Sequence, residues 1–247
     1  MMQKNSAISS FLQNFIYLMN DENVRSTIIT KFCKDCSRNL KYIGTFYVNG
    51  SKYNLIDTKQ KQSFKKVLTS KLKKLKTKNE IHFTVSYSYN INSVHYVSFV
   101  YLPSTKKLIH FDPGISMYEQ GQKTIVPSVF QLLKQENLLK SQEEIGECPK
   151  FQWGKKKTGV QFNNHPYQPC PRDAFCQTWT VFFIYQTSKC KTFRFVRKWC
   201  EIPPEKRETY LVQNFIAPIL RYFPNYYESV QKDLPKQNYL KMIQRNS

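Results

Sequence analysis

Three short stretches carry side chains that could do covalent chemistry together: Val94-His95-Tyr96-Val97, Ile109-His110-Phe111-Asp112 and Arg172-Asp173-Ala174-Phe175-Cys176-Gln177-Thr178-Trp179. A thiol hydrolase needs an imidazole to take the proton from sulfur, a carboxylate to orient that imidazole, and a sulfur placed where it can ionise near neutral pH. His95, Asp112 and Cys176 are those three groups, in that order along the chain. A helix N-terminus lends partial positive charge to a thiolate, and a nearby imidazolium lends more. Pro171-Arg172-Asp173, followed by an apolar run, puts Cys176 in the first turn of a helix with Asp173 as its N-cap.

The elements that must position these groups are written in the hydrophobic pattern. Ile81 to Tyr89 alternates, Val94 to Leu102 is almost wholly apolar, and Lys107 to Phe111 is a third strand-like run. Pro103-Ser104-Thr105-Lys106 turns the second run into the third as a hairpin. Counting back from that turn puts His95 and Asp112 opposite one another at one end of the hairpin, close enough for the carboxylate to fix the imidazole tautomer. Asp112-Pro113-Gly114 then ends the strand. Upstream, residues 7 to 45 read as helical, and Tyr42 to Gly50 as a short strand and turn. Lys59 to Lys78 holds nine lysines and no acid, with Phe64, Val67, Leu68, Leu72 and Leu75 at helical spacing. Downstream, the pattern predicts a helix over Pro127 to Lys140 and a strand over Thr158 to Asn163. A buried helix over Ala174 to Gln186 and an amphipathic one over Glu205 to Tyr222 follow. A boundary near residue 80 divides the chain into a basic, mostly helical region, residues 1–80, and a second domain, residues 81–247.

His95-Tyr96, Phe111-Asp112 seventeen positions on, and a Cys opening a helix resemble the adenain/Ulp1-like cysteine proteases over roughly residues 80 to 200. The phrase Phe175-Cys176-Gln177-Thr178-Trp179 is closest to the large-DNA-virus branch, which includes the African swine fever virus polyprotein protease. The resemblance implies an α+β fold, a small mixed sheet flanked by helices with the cysteine on a central helix. It implies a cysteine endopeptidase that cuts structural polyproteins during virion maturation, after small residues such as Gly-Gly, in host cytoplasm and virion. It also implies a glutamine a few residues before the cysteine as oxyanion-hole donor; Gln168, eight positions upstream, is the choice, with Gln161 farther off. Gln177 stands where cellular members commonly have glycine. No cofactor is implied, although DNA serves as an activator in adenain.

Composition bounds these readings. Apolar residues at 40% and aromatics at 15% suffice for a core. The formal charge of +21 favours contact with a polyanion, so nucleic acid is a candidate partner through the Lys-rich segment 59–78, beside a protein substrate. Seven cysteines, an odd count without an even-spaced framework, predict mostly free thiols in a reducing compartment. No signal-peptide pattern or membrane-length apolar run is expected, so the chain reads as soluble. Cys33-Lys34-Asp35-Cys36 has metal-ligand spacing, yet no second close pair accompanies it. His110 and His165 are rivals for the base, and His82 reads as structural. Two other functions stay open: an isopeptidase of the deSUMOylase or deubiquitinase type on the same fold, and a basic DNA-binding core protein without catalysis.

Overall fold

The fold is taken from a computed structural model, which describes residues 14–15, 18–19, 21–35, 40–51, 54–55, 58–74, 80–90, 93–114, 127, 129–145, 148–153, 156–160, 176–190 and 192–226. The chain divides into two compact units, one made of Met1–Ile28 with Ile202–Ser247, the other of Ile29–Glu201. The architecture is mixed, with strands and helices in the α+β manner that the sequence led us to expect.

The second unit is built on a mixed sheet in the order β2-β1-β3-β4-β5-β6. Its strands are β1 (Leu40–Ser51), the two-residue β2 (Asn54–Leu55), β3 (Glu80–Asn90), β4 (Ser93–Leu102), β5 (Lys107–Phe111) and β6 (Ser141–Ile145). β3, β4 and β5 follow one another as an antiparallel meander, while β1 and β6 join outside them in parallel. The tight turn between β4 and β5 is closed by Lys106 N–H donating to Pro103 O at 3.3 Å. A separate two-stranded ribbon pairs β7 (Cys148–Trp153) with β8 (Lys156–Thr158).

Both faces of the sheet are covered, which explains why β4 reads as a continuous apolar run rather than an alternating one. On one face Phe83, Val85, Val97, Phe99, Tyr101 and Leu108 pack with Leu68 and Leu72 of helix α2 (Thr58–Lys74) and with Val129, Phe130, Leu133 and Leu139. On the other lies helix α3 (Cys176–Lys189), whose Phe183 stacks on Phe111 with ring centroids 4.7 Å apart. Ser98 Oγ donates to Thr180 O across that interface at 3.5 Å. Helix α4 (Arg194–Glu201) then lays Trp199 against Phe182, Trp179 and Phe111, at centroid distances of 4.6, 5.3 and 5.9 Å. Cys200, beside that tryptophan, forms a disulfide with Cys148 at the start of β7.

Several expectations are corrected. Helix does not run from residue 7 to 45: α1 spans Glu22–Lys34, and the chain is already in β1 at Leu40. β1 joins the sheet of β3 to β6, so residue 80 is not where the packing divides the chain. Gly44 explains how β1 enters: its φ of +111° accompanies a register shift between Tyr42 and Thr45. The Ile43 carbonyl at this bulge accepts from Lys71 Nζ at 2.8 Å, and Lys73 pairs with Glu136 at 2.6 Å. Lys71 and Lys73 therefore bind the helix to its own fold, while Val67, one of the apolar residues at helical spacing, is 42% exposed. The helix expected over Pro127 to Lys140 is seen at residues 127 and 129–135 and ends short of Lys140, before β6 begins. Of the strand expected at Thr158 to Asn163, Thr158 ends β8, residues 159 and 160 are not strand, and residues 161–163 lie outside the described residues. Among the described cysteines Cys33, Cys176 and Cys190 keep their thiols, in line with the expectation of mostly free thiols, and the Cys148–Cys200 disulfide is one pairing that the spacing did not announce.

The first unit contains α5 (Pro204–Leu211), a π-helical turn (Val212–Ile216) and α6 (Ala217–Tyr222), where one amphipathic helix was expected over Glu205 to Tyr222. Pro218 accounts for the break, because a proline inside a helix offers no N–H and crowds the carbonyl four residues back. The π turn absorbs this, with Ala217 N–H reaching Val212 O. Phe215 meets Phe15 edge-to-face at 6.4 Å in this unit.

Trp199 is 1% exposed and touches three rings that hold α3 to the sheet. Trp199→Ala is expected to cost about 3–5 kcal/mol in urea unfolding, the range for emptying a large aromatic site. A change under about 1 kcal/mol would contradict this account of how α3 is seated.

Candidate active site

The catalytic candidates converge in the Ile29–Glu201 unit. The ladder between β4 and β5 ends at Ser98 opposite Phe111, so Asp112 leaves β5 level with Val97. His95 lies two residues beyond Val97, in the same pleat row. The pair is thus diagonal rather than directly opposite, a geometry that long side chains bridge readily. His95 Nε2 and Asp112 Oδ1 are 2.8 Å apart, and both side chains are wholly buried. The same oxygen accepts the Gly114 N–H at 2.8 Å, an Asx turn through Asp112-Pro113-Gly114 that fixes the carboxylate beneath the ring.

Cys176 opens α3, as the sequence predicts, and is 2% exposed. Its place in the first turn sets it among the backbone N–H groups that have no partner within the helix, where partial positive charge gathers. Its sulfur interacts with His95 in the direction that favours the charged ring. Nε2 is the ring nitrogen engaged by Asp112, so Nδ1 is the one not used by the carboxylate.

Burial by itself would lower the His95 pKa. The Asp112 charge and hydrogen bond, followed by the Cys176 contacts, outweigh that and raise it from 6.5 to about 10. At neutral pH the site therefore holds an imidazolium between a carboxylate and a sulfur. Such an arrangement can stabilise a thiolate and later hand a proton to a leaving group.

His110 and His82 lie away from this pair. His110 pairs with Phe99 across the ladder and packs between the Phe99 and Phe130 rings, at 6.0 and 5.7 Å, in the core on the α2 side. His82 is wholly buried, 4.0 Å from Glu80 and close to the Phe183 ring. Gln168, Gln161, His165 and the N-cap candidate Asp173 lie outside the described residues, as does Cys36 of the metal-spaced pair. No group of three metal-ligating side chains occurs among the described residues. Gln177 is the functional candidate that the pattern did not single out: its Oε1 accepts from Cys176 Sγ at 3.4 Å. The signal was present in the departure from glycine next to the cysteine.

No family model matches the sequence, and no curated protein matches it. Among solved structures, the chain is similar to the crystal structure of the Legionella pneumophila effector protein RavZ at 8% identity and a TM-score of 0.34. That alignment covers 76% of this chain and 65% of RavZ. A second RavZ structure aligns at 10% identity and a TM-score of 0.38, covering 81% of this chain and 57% of that one. The chain thus spans under two thirds of the length of the proteins it matches. None of these likenesses points to the large-DNA-virus branch, and function is argued from the site.

A histidine held charged in the folded state stabilises the fold fully below pH 6.5, a contribution lost as pH rises through about 10. Asp112→Asn removes the main cause of the raised pKa. We expect it to lower stability by about 3 kcal/mol at pH 6, with the difference from the parent protein shrinking toward pH 10. Thermal unfolding across that pH range checks it; a pH-independent difference would contradict the assignment.

Proposed function

We propose that the chain is a cysteine-type hydrolase of peptide bonds with Cys176 as nucleophile, His95 as acid–base and Asp112 as the group that orients His95. The observation that carries this reading is the juxtaposition of a buried 2.8 Å His95–Asp112 pair with the Cys176 thiol at the head of a helix. The Cys176 thiolate adds to the scissile carbonyl carbon, and the C–O π pair moves onto oxygen. As the C–N bond breaks, His95 gives its Nδ1 proton to the leaving amine. Water, deprotonated by His95, then cleaves the thioester and restores the sulfur. Gln168 is our candidate for the side-chain donor to the oxyanion, alongside backbone N–H groups at the start of α3.

The near-complete enclosure of Cys176 supports a narrow approach to the sulfur, and so a substrate with small side chains such as Gly-Gly next to the scissile bond. With the adenain/Ulp1-like resemblance of the sequence, this makes a structural polyprotein processed during virion maturation our substrate reading, with host cytoplasm and virion as its location. Contact with nucleic acid is proposed through α2, where Lys66, Lys71, Lys73 and Lys74 are exposed, the Lys71 and Lys73 ammonium groups also bonding within the fold. No described helix is long and apolar enough to cross a membrane.

The test compares hydrolysis of a Gly-Gly-X peptide with release of a fluorophore from ubiquitin or a ubiquitin-like modifier. We expect peptide cleavage that falls at least about 10³-fold in Cys176→Ala and in His95→Ala. Cleavage of the modifier conjugate alone would redirect the substrate reading to an isopeptidase. Peptide cleavage unchanged in Cys176→Ala would remove the hydrolase altogether.

A further inference from the structure

Gln177 follows the proposed nucleophile, is 2% exposed, and has no part in the mechanism above. A polar side chain buried so deeply keeps its place through hydrogen bonds. One of them is to the reacting atom itself, since Oε1 accepts from Cys176 Sγ at 3.4 Å. Side chains on a helix tilt toward its N-terminus, so a long side chain one position after the cysteine can fold back over the first turn and reach the sulfur. The backbone beneath is held by Thr180 Oγ1, which donates to Gln177 O at 2.7 Å.

We propose that the Gln177 carboxamide is a two-way partner of the Cys176 sulfur, accepting S–H through its oxygen in the thiol form and donating N–H to the thiolate after a half-turn. This rests on reading Cys176 as the nucleophile. An imidazolium protonated on both nitrogens has no lone pair to receive the thiol proton, so the S–H must point to another acceptor, and Oε1 is in place. When the proton leaves to solvent, the sulfur becomes an acceptor only. The carboxamide oxygen then faces a negative charge, while the NH2 group, of nearly the same size, would meet it favourably. Rotation about the last side-chain torsion exchanges the two without moving the chain. Two donors then hold the thiolate, the His95 ring and the Gln177 amide, and both are released as the C–S bond forms.

Glycine at this position could do none of this, nor could a side chain that only accepts. The test measures the second-order rate of Cys176 alkylation by iodoacetamide at pH 7 in the full-length chain, by peptide mapping, with melting temperature alongside. Gln177→Met keeps length and bulk without the amide, and Gln177→Glu keeps an acceptor without the donor. Charge-assisted hydrogen bonds are strong enough that we expect about tenfold slower alkylation in Gln177→Met. A larger loss is expected in Gln177→Glu, and Gln177→Met decides the matter alone if the glutamate variant fails to fold. A Gln177→Met rate equal to that of the parent protein overturns the two-way role and leaves the nucleophile reading intact. A parent Cys176 no faster than Cys33 and Cys190 overturns that reading and this inference together.

Discussion

A fully buried ion pair is costly to make, because both charges leave water, and it persists only where the fold supplies close geometry and further hydrogen bonds. His95 and Asp112 meet both conditions. The ring and the carboxylate face each other along a pleat diagonal, and the turn after β5 adds a backbone donor to the oxygen that holds the ring. The rest of the unit can be read as what keeps this pair dry and in register. β4 is central, paired along its length with β3 and, from Ser98 to Leu102, with β5, so His95 stands on one of the best-supported strands in the chain. The segment of β4 that outruns β5 is the one that carries His95, which gives Asp112 room to turn in beneath it.

Helix α3, which carries the sulfur, is pinned to the face of the sheet that presents Ser98 and Phe111. Phe183 on Phe111, the Ser98–Thr180 hydrogen bond and the Trp199 cluster fix the helix along its length, so its first residue arrives at a set point. Small polar residues at the interface, Thr84, Ser86, Ser98 and Thr180, are all buried, where a wholly apolar pattern would place larger side chains. Their small size suits a close approach of helix to sheet. The disulfide between Cys148 and Cys200 ties the β7 ribbon to the helix that carries Trp199.

Much of this was legible in residue types and spacing. The β3–β4–β5 meander followed from alternation and from the Pro103-Ser104-Thr105-Lys106 turn, and the start of α3 at Cys176 from an apolar run behind a proline-rich approach. His110 was separated from His95 by register, since a shift along the ladder decides which histidine borders Asp112 and which lies under Phe130. What stayed hidden depends on long-range pairing. Nothing local in Leu40–Ser51 announces a parallel partner 40 positions on. Ser141–Ile145, with two glutamates, reads as a polar loop until β5 offers it an edge. The lysines of α2 looked alike in sequence, and only the bulge at Gly44 and the position of Glu136 gave two of them inward duties. The contact of Gln177 with sulfur is of the same kind, a matter of side-chain direction rather than pattern.

The central claim is that Asp112 holds the His95 ring charged beside Cys176. The most direct measurement is the pH titration of the His95 imidazole nitrogens by NMR in isotope-labelled protein. We predict a ring doubly protonated at neutral pH that titrates near 10 and drops well below that in Asp112→Asn. A ring that titrates at or below 6.5 in the parent protein, and does not respond to loss of the carboxylate, would contradict the account.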